Sequence, residues 1–205
     1  MKLKRNATIS ALAALWLCSA PASAALVFNI DFGQDSIFEN AVTLNVDQVI
    51  WADVYVSNVP SPGLIAMGFD LVYDGAQLRV LSASIGGNWD FGQIDQASPS
   101  VIETGGMLLN TLAGDNILLG SVEFKAIAAG SSGLSLFDSD HGGSFDDFVL
   151  DDATVMDSDL NGGVPLALVD TPTPPASIPE PGTLLLLLPG LAGLSRAKKT
   201  IAGEN

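Results

Sequence analysis

The chain has 205 residues, one cysteine and a formal charge of −15. That length suits one folded domain. The acidity sets nucleic acid aside as a partner, and a single cysteine rules out a disulfide framework within the chain.

The first segment is a leader. Lys2, Lys4 and Arg5 precede the apolar stretch ALAALWLCSA, and Ala22-Ser23-Ala24 supplies a small-x-small site. This order predicts a secretory signal peptide over residues 1–24, cut after Ala24. A buried helix or membrane anchor is the competing reading, but the stretch is short for a span. Cys18 lies inside the leader, and Leu17 stands where a lipoprotein needs a small residue. The mature chain then has no cysteine and must rely on its core, with metal ions as the only other help. Between Ala25 and Gly182 the basic residues are Arg79 and Lys125, whereas every acidic residue except Glu204 falls there. Cations and neutral polymers suit such a surface; plain solubility outside the cell is the simpler reading.

From Leu26 to Val169 the pattern is β. LVFNIDF, VTLNV, VIWADVYVSNV, LIAMGFDLVYD, LRVLSASIG, GMLLNTL, ILLGSVEFKAIA, GLSLFD, FVLDDATV and VPLALV are short runs rich in β-branched and aromatic residues. Val42, Leu44 and Val46 share one face, as do Ala52, Val54 and Val56. Turn formers such as Pro60-Ser61-Pro62-Gly63, Asp74-Gly75 and Gly86-Gly87-Asn88 separate the runs. The expectation over residues 25–169 is an all-β, two-sheet sandwich of about nine strands, of jelly-roll type.

Three stretches carry a family likeness. Gly68–Gly87, GFDLVYDGAQLRVLSASIGG, resembles the central part of cohesin domains, where a strand ends in a Tyr-Asp turn followed by a Leu and another strand. Leu118–Leu136 is similar to that family's paired strands, and DLNGGVPLAL to its last hairpin. Many β-sandwich carbohydrate-binding modules share the layout. The cohesin resemblance implies a non-catalytic module that presents a sheet face to the helices of a dockerin-like partner. The resemblance carries no dockerin-contacting residue over to a numbered position of this chain.

The residues offer little for catalysis. His141 is the one histidine, in the loop SDHGG with Ser139 and Ser144 nearby, and the flanking glycines argue against a poised triad. Zinc catalysis wants several His or Cys ligands. A paired-carboxylate glycosidase is not excluded, because acids are plentiful. The expectation is therefore no enzyme and no resident cofactor.

The acidic run Phe137–Gly163 is the candidate metal region. Asp157, Asp159 and Asn161 with Gly162 fit the first half of a calcium loop, in which alternate oxygens wrap a hard cation. The twelfth position from Asp157 is Leu168, so the bidentate glutamate is missing. Weak Ca²⁺ binding, aided by Asp146, Asp147, Asp151 or Asp152, stands beside the simpler reading of a polar turn. Trp51, Tyr55, Trp89 and Phe91 are open to two readings as well, as core or as a sugar-stacking platform. Trp51 and Tyr55 should face away from Val54 and Val56.

Residues 170–177, DTPTPPAS, read as an extended Pro/Thr-rich linker. Pro179-Glu180-Pro181 follows, then an apolar stretch expected to be helical, then Arg196, Lys198 and Lys199. The basic cluster favours the cytoplasmic side. Gly182–Leu194 falls short of the roughly 20 residues of a comfortable span, so it suits a transient insertion. The order resembles the PEP-CTERM sorting signal over residues 178–199, with residues 200–205 a longer tail than usual. That resemblance implies an exosortase as partner during sorting, transit through the inner membrane of a Gram-negative bacterium, and cleavage near Pro179-Glu180-Pro181. A plain C-terminal anchor shares the topology. Together these features predict an exported, non-catalytic binding protein of the cell surface or exopolysaccharide matrix. Its ligand would be a dockerin-like protein or a polysaccharide; a matrix-acting glycoside hydrolase is the remaining alternative.

Overall fold

Alternation decides the strands. Ala52, Val54 and Val56 are each no more than 1% exposed, while Trp51, Asp53 and Tyr55, alternating with them, point the other way, and the two aromatics are half-buried. A computed structural model describes residues 25–138, 147–156, 160 and 162–175. Its strands are β1 (Val27–Phe32), β2 (Ala41–Thr43), β3 (Val49–Ser57), β4 (Val59–Val72), β5 (Leu78–Ile85), β6 (Phe91–Ser98), β7 (Val101–Gly114), β8 (Ile117–Ala126), β9 (Gly130–Phe137), β10 (Val149–Leu150) and β11 (Val164–Thr171).

The strands form two sheets. One has four strands in the order β1-β3-β8-β5. The other has seven, β2-β11-β9-β4-β7-β6, with β10 paired to β4. The β11/β2 pair is parallel, and the other strand pairs are antiparallel. This is the expected all-β two-sheet sandwich. Its core lies between the inner faces, which meet through Val54, Val122 and Phe124 on one side and Met67, Phe69, Leu71 and Leu134 on the other. Phe148, fully buried before β10, packs edge-on to Phe28 at 5.4 Å and stacks on Phe69 at 6.3 Å. Tyr73 meets Phe124 edge-on at 5.3 Å, a favoured geometry for aromatic rings. Burial pushes the Tyr73 hydroxyl up, and the amide that Gln96 donates to it pulls the other way.

The sheets are tied differently at their two margins. On one side β5 leans on β6, and a Cβ at Gly92 would collide with the Ile85 side chain, so glycine is what allows this approach. On the other side β1 and β11 flank an open cleft of about 420 Å³.

Several elements differ from the sequence pattern. Pro60-Ser61-Pro62-Gly63, expected as a turn, runs within β4, and the reversal falls instead at Asn58, with φ +60°. β6 was not expected, because GQIDQ offers Ile94 as its only large apolar residue between Phe91 and Ser98. It exists because β7 pairs with it from Met107 to Val101. FVLDDATV shrinks to the two-residue β10, since the chain turns at once: Asp152 accepts the Thr154 amide and Ala153 has φ +65°. Asp170 and Thr171, assigned to the linker, continue β11: the Ser131 hydroxyl donates to Asp170 at 2.7 Å, and Thr171 is buried. The expected C-terminal helix lies outside the described residues. Among the described residues no helix is long and apolar enough to cross a membrane.

Candidate binding faces

With both inner faces committed to the core, the outer faces remain for recognition. On the seven-stranded sheet, inner and outer positions follow from register. Ile102, Thr104 and Leu108 of β7 are buried inward, so Glu103, Met107 and Leu109 point out. On β6, Ile94 packs on the core and Gln96 reaches buried Tyr73, so Phe91, Gln93 and Asp95 point out. Phe91 stands opposite Met107. Phe91 is 54% exposed and Leu109 73%, which makes this corner the most exposed aromatic–aliphatic pair among the described residues. Along the same sheet, Asp70, Glu103 and Asp95 are direct cross-strand partners. The row grades from buried Asp70 through half-buried Glu103 to exposed Asp95. At its far end Phe137 lies over Gly163, whose φ of +84° and contact with that ring exclude a Cβ. The face therefore combines an apolar corner with an acidic row.

The outer face of the four-stranded sheet is built otherwise. Asp31 and Asp53 are cross-strand partners, 1% and 5% exposed. A buried carboxylate must be hydrogen-bonded, and one loop supplies the donors. The amides of Asp35 and Ser36 donate to Asp31 at 3.2 and 2.8 Å, and Gln34 Nε2 donates to Asp53 at 3.1 Å. The loop reaches these positions through left-handed Gln34 and Ser36, with φ of +62° and +66°. It continues to Phe38, whose ring packs on Tyr55 at 5.4 Å. Burial, and next the charges of Asp53 and Asp31, push the Tyr55 hydroxyl up. At the sheet margin Lys125 pairs with Asp47 at 2.8 Å, which holds that carboxyl below its usual range.

The four aromatics of the sequence pattern separate. Trp89 belongs to the core: it is 7% exposed and its indole N–H donates to the Leu118 carbonyl at 2.9 Å. Trp51 and Tyr55 share the outer face of the four-stranded sheet, and Phe91 sits on the opposite sheet. They do not form one platform. The corner made by Met107 and Leu109 was missed; its signal was the alternation Glu103-Gly105-Met107-Leu109, hidden within a run read only as GMLLNTL.

The other sequence-assigned sites lie outside the described residues: Ala22 and Ala24 of the cleavage site, Asp157, Asp159 and Asn161 of the calcium loop, and Pro179, Glu180, Pro181, Arg196, Lys198 and Lys199 of the sorting signal. His141, Ser139, Ser144 and Asp146 lie there too. Asp147, Asp151 and Asp152 are described and exposed. Among the described residues no three acidic, histidine or cysteine side chains gather as a metal site.

No family model matches the sequence, and no curated protein matches it. Solved structures do resemble the fold. A type III cohesin module from the cell-surface anchoring scaffoldin ScaE of Ruminococcus flavefaciens aligns with TM-score 0.54 at 12% identity, covering 74% of this chain and 91% of that one. The sixth cohesin of Acetivibrio cellulolyticus scaffoldin B, solved with a dockerin, aligns with TM-score 0.50 at 15% identity, covering 70% and 98%. A type I cohesin–dockerin complex from Clostridium thermocellum gives TM-score 0.50 at 15% identity, covering 71% and 99%. At these identities the likeness concerns the fold, and the fold is that of a cohesin-like β-sandwich.

Proposed function

We propose that the protein is an exported, non-catalytic protein-binding module whose docking face is the outer face of β6 and β7. The observation that carries this reading is the exposed corner of Phe91, Met107 and Leu109 beside the acidic row ending at Asp95. Apolar anchors next to a charged rim are the usual anatomy of a protein interface. The partner it fits has an apolar side chain for the corner and basic residues for the rim. The cohesin-like fold supports the same reading, since modules of that fold are solved in complex with dockerins. The leader and the tail add the route: secretion, a transient tether by the apolar tail, and release or attachment at the surface by an exosortase acting near Pro179-Glu180-Pro181.

A photo-crosslinking residue placed at position 91 or 109 in the native host tests the face. The reading expects one dominant crosslinked protein from both positions and none from position 79 on the other sheet. Equal yields from 79, or no adduct from 91 and 109, would overturn it. Mass spectrometry of the extracellular protein tests the route; an intact C-terminus through Asn205 would refute processing.

A further inference from the structure

The cleft between β1 and β11 is continuous with the aromatic side of the four-stranded sheet. Apolar Phe28, Phe38 and Leu166 line it, and Asn29, Glu39 and Asn40 supply amide and carboxylate groups. Asn29 is the cross-strand partner of Tyr55, and the Phe38 ring lies tilted against that same Tyr55. Trp51 follows on the same face of β3, four residues away, or about 13 Å along the strand. Phe38 and Tyr55 thus stand at the mouth of the cleft, and Trp51 lies farther along the same face, beyond the buried Asp53 that Gln34 covers, a reach longer than one sugar ring is wide. Between the two strand aromatics lies Asp53, already held by Gln34 and flanked by Ser121 of β8.

From this geometry we infer that the cleft and these aromatics bind a polysaccharide strand of uncharged pyranose units. Each part matches one need of such a ligand. Half-exposed rings offer flat apolar surfaces to the C–H faces of sugars. The side chains of Asn29 and Asn40 offer donors and acceptors to hydroxyls at the ring edges, and Glu39, one oxygen of which accepts the Phe32 amide at 2.9 Å, offers its other oxygen. The charge chooses among glycans: Glu39, Asp31, Asp53 and, opposite Trp51, Glu123 repel an anionic chain and outnumber the sheet's two cations, exposed Arg79 and Lys125, the latter engaged by Asp47. The Tyr55 hydroxyl, pushed up by burial and by the charges of Asp53 and Asp31, stays protonated at neutral pH and can donate there. This activity is separate from the docking face, which lies on the other sheet.

The test is affinity electrophoresis of the full secreted protein in gels holding uncharged β-1,4-glucan, β-1,3-glucan or β-1,4-mannan, with alginate as the anionic probe. Tryptophan fluorescence against the matching hexasaccharides gives the affinities. At least one uncharged glycan should retard the protein, and alginate should not. Phe38→Ala and Trp51→Ala should each weaken binding about tenfold, which is the loss of one ring contact. Phe38→Ala removes a 41% exposed loop side chain, so it tests the aromatic surface even if the strand variant fails to fold. Phe91→Ala should leave glycan binding unchanged while impairing the docking face. No retardation by any uncharged glycan, stronger retardation by alginate, or full binding by a folded Phe38→Ala protein would each overturn the inference.

Discussion

The two outer faces of one sandwich solve opposite problems. The face of the four-stranded sheet carries two buried carboxylates side by side, and spends a whole loop on satisfying them. The β6–β7 face carries bare apolar side chains that nothing in its own strands covers. A hydrogen-bonded loop orders the first face; the second has its strands and the bond from the Leu109 amide to Asp90 at 2.8 Å. A surface closed by its own chain is shaped before a ligand arrives. A surface left apolar invites a partner to finish it.

Four measurements separate the faces, in descending size. Phe124 lies in the core under both, so Phe124→Ala should cost about 3–5 kcal/mol in urea unfolding and disturb both faces equally. A smaller loss would mean that the sheets do not share one core. Asp31→Ala leaves the amides of Asp35 and Ser36 without their acceptor; about 1–3 kcal/mol should be lost, with faster amide exchange confined to residues 33–38. If exchange rises on β6 instead, the faces are not independent. Tyr55 gives a pH test. Its folded-state pKa is raised, so its contribution is complete below the unfolded value of about 10 and is lost as pH rises through the folded one. The alkaline fall in melting temperature should therefore shrink in Tyr55→Phe. Last, Phe91→Ala with Leu109→Ala should change stability by no more than about 0.5 kcal/mol per site, because both side chains are mostly exposed. A large loss there would make the corner structural.

Much of this architecture could be read from the residues, and the gaps have physical causes. Alternation announced β3, where Ala52, Val54 and Val56 go inward and Trp51 and Tyr55 outward. Periodicity fails for β6, a strand at the sheet margin whose polar residues are tolerated because only Ile94 must pack inward. The contrast between the faces was invisible for another reason. Which carboxylates become neighbours depends on register: Asp31 meets Asp53 across 22 positions of chain, and no local pattern encodes that pairing. Trp89 follows the turn formers Gly86-Gly87-Asn88, and its amide closes that turn on the Gly86 carbonyl, yet the Leu118 carbonyl, far along the chain, draws its side chain inside.

The most direct test of the central claim is amide hydrogen exchange on the protein with and without the partner that crosslinks from position 91. A partner seated on β6 and β7 should bring new protection over residues 91–97 and 105–109, with residues 49–57 unchanged. Protection confined to 49–57, or none on either face, would contradict it.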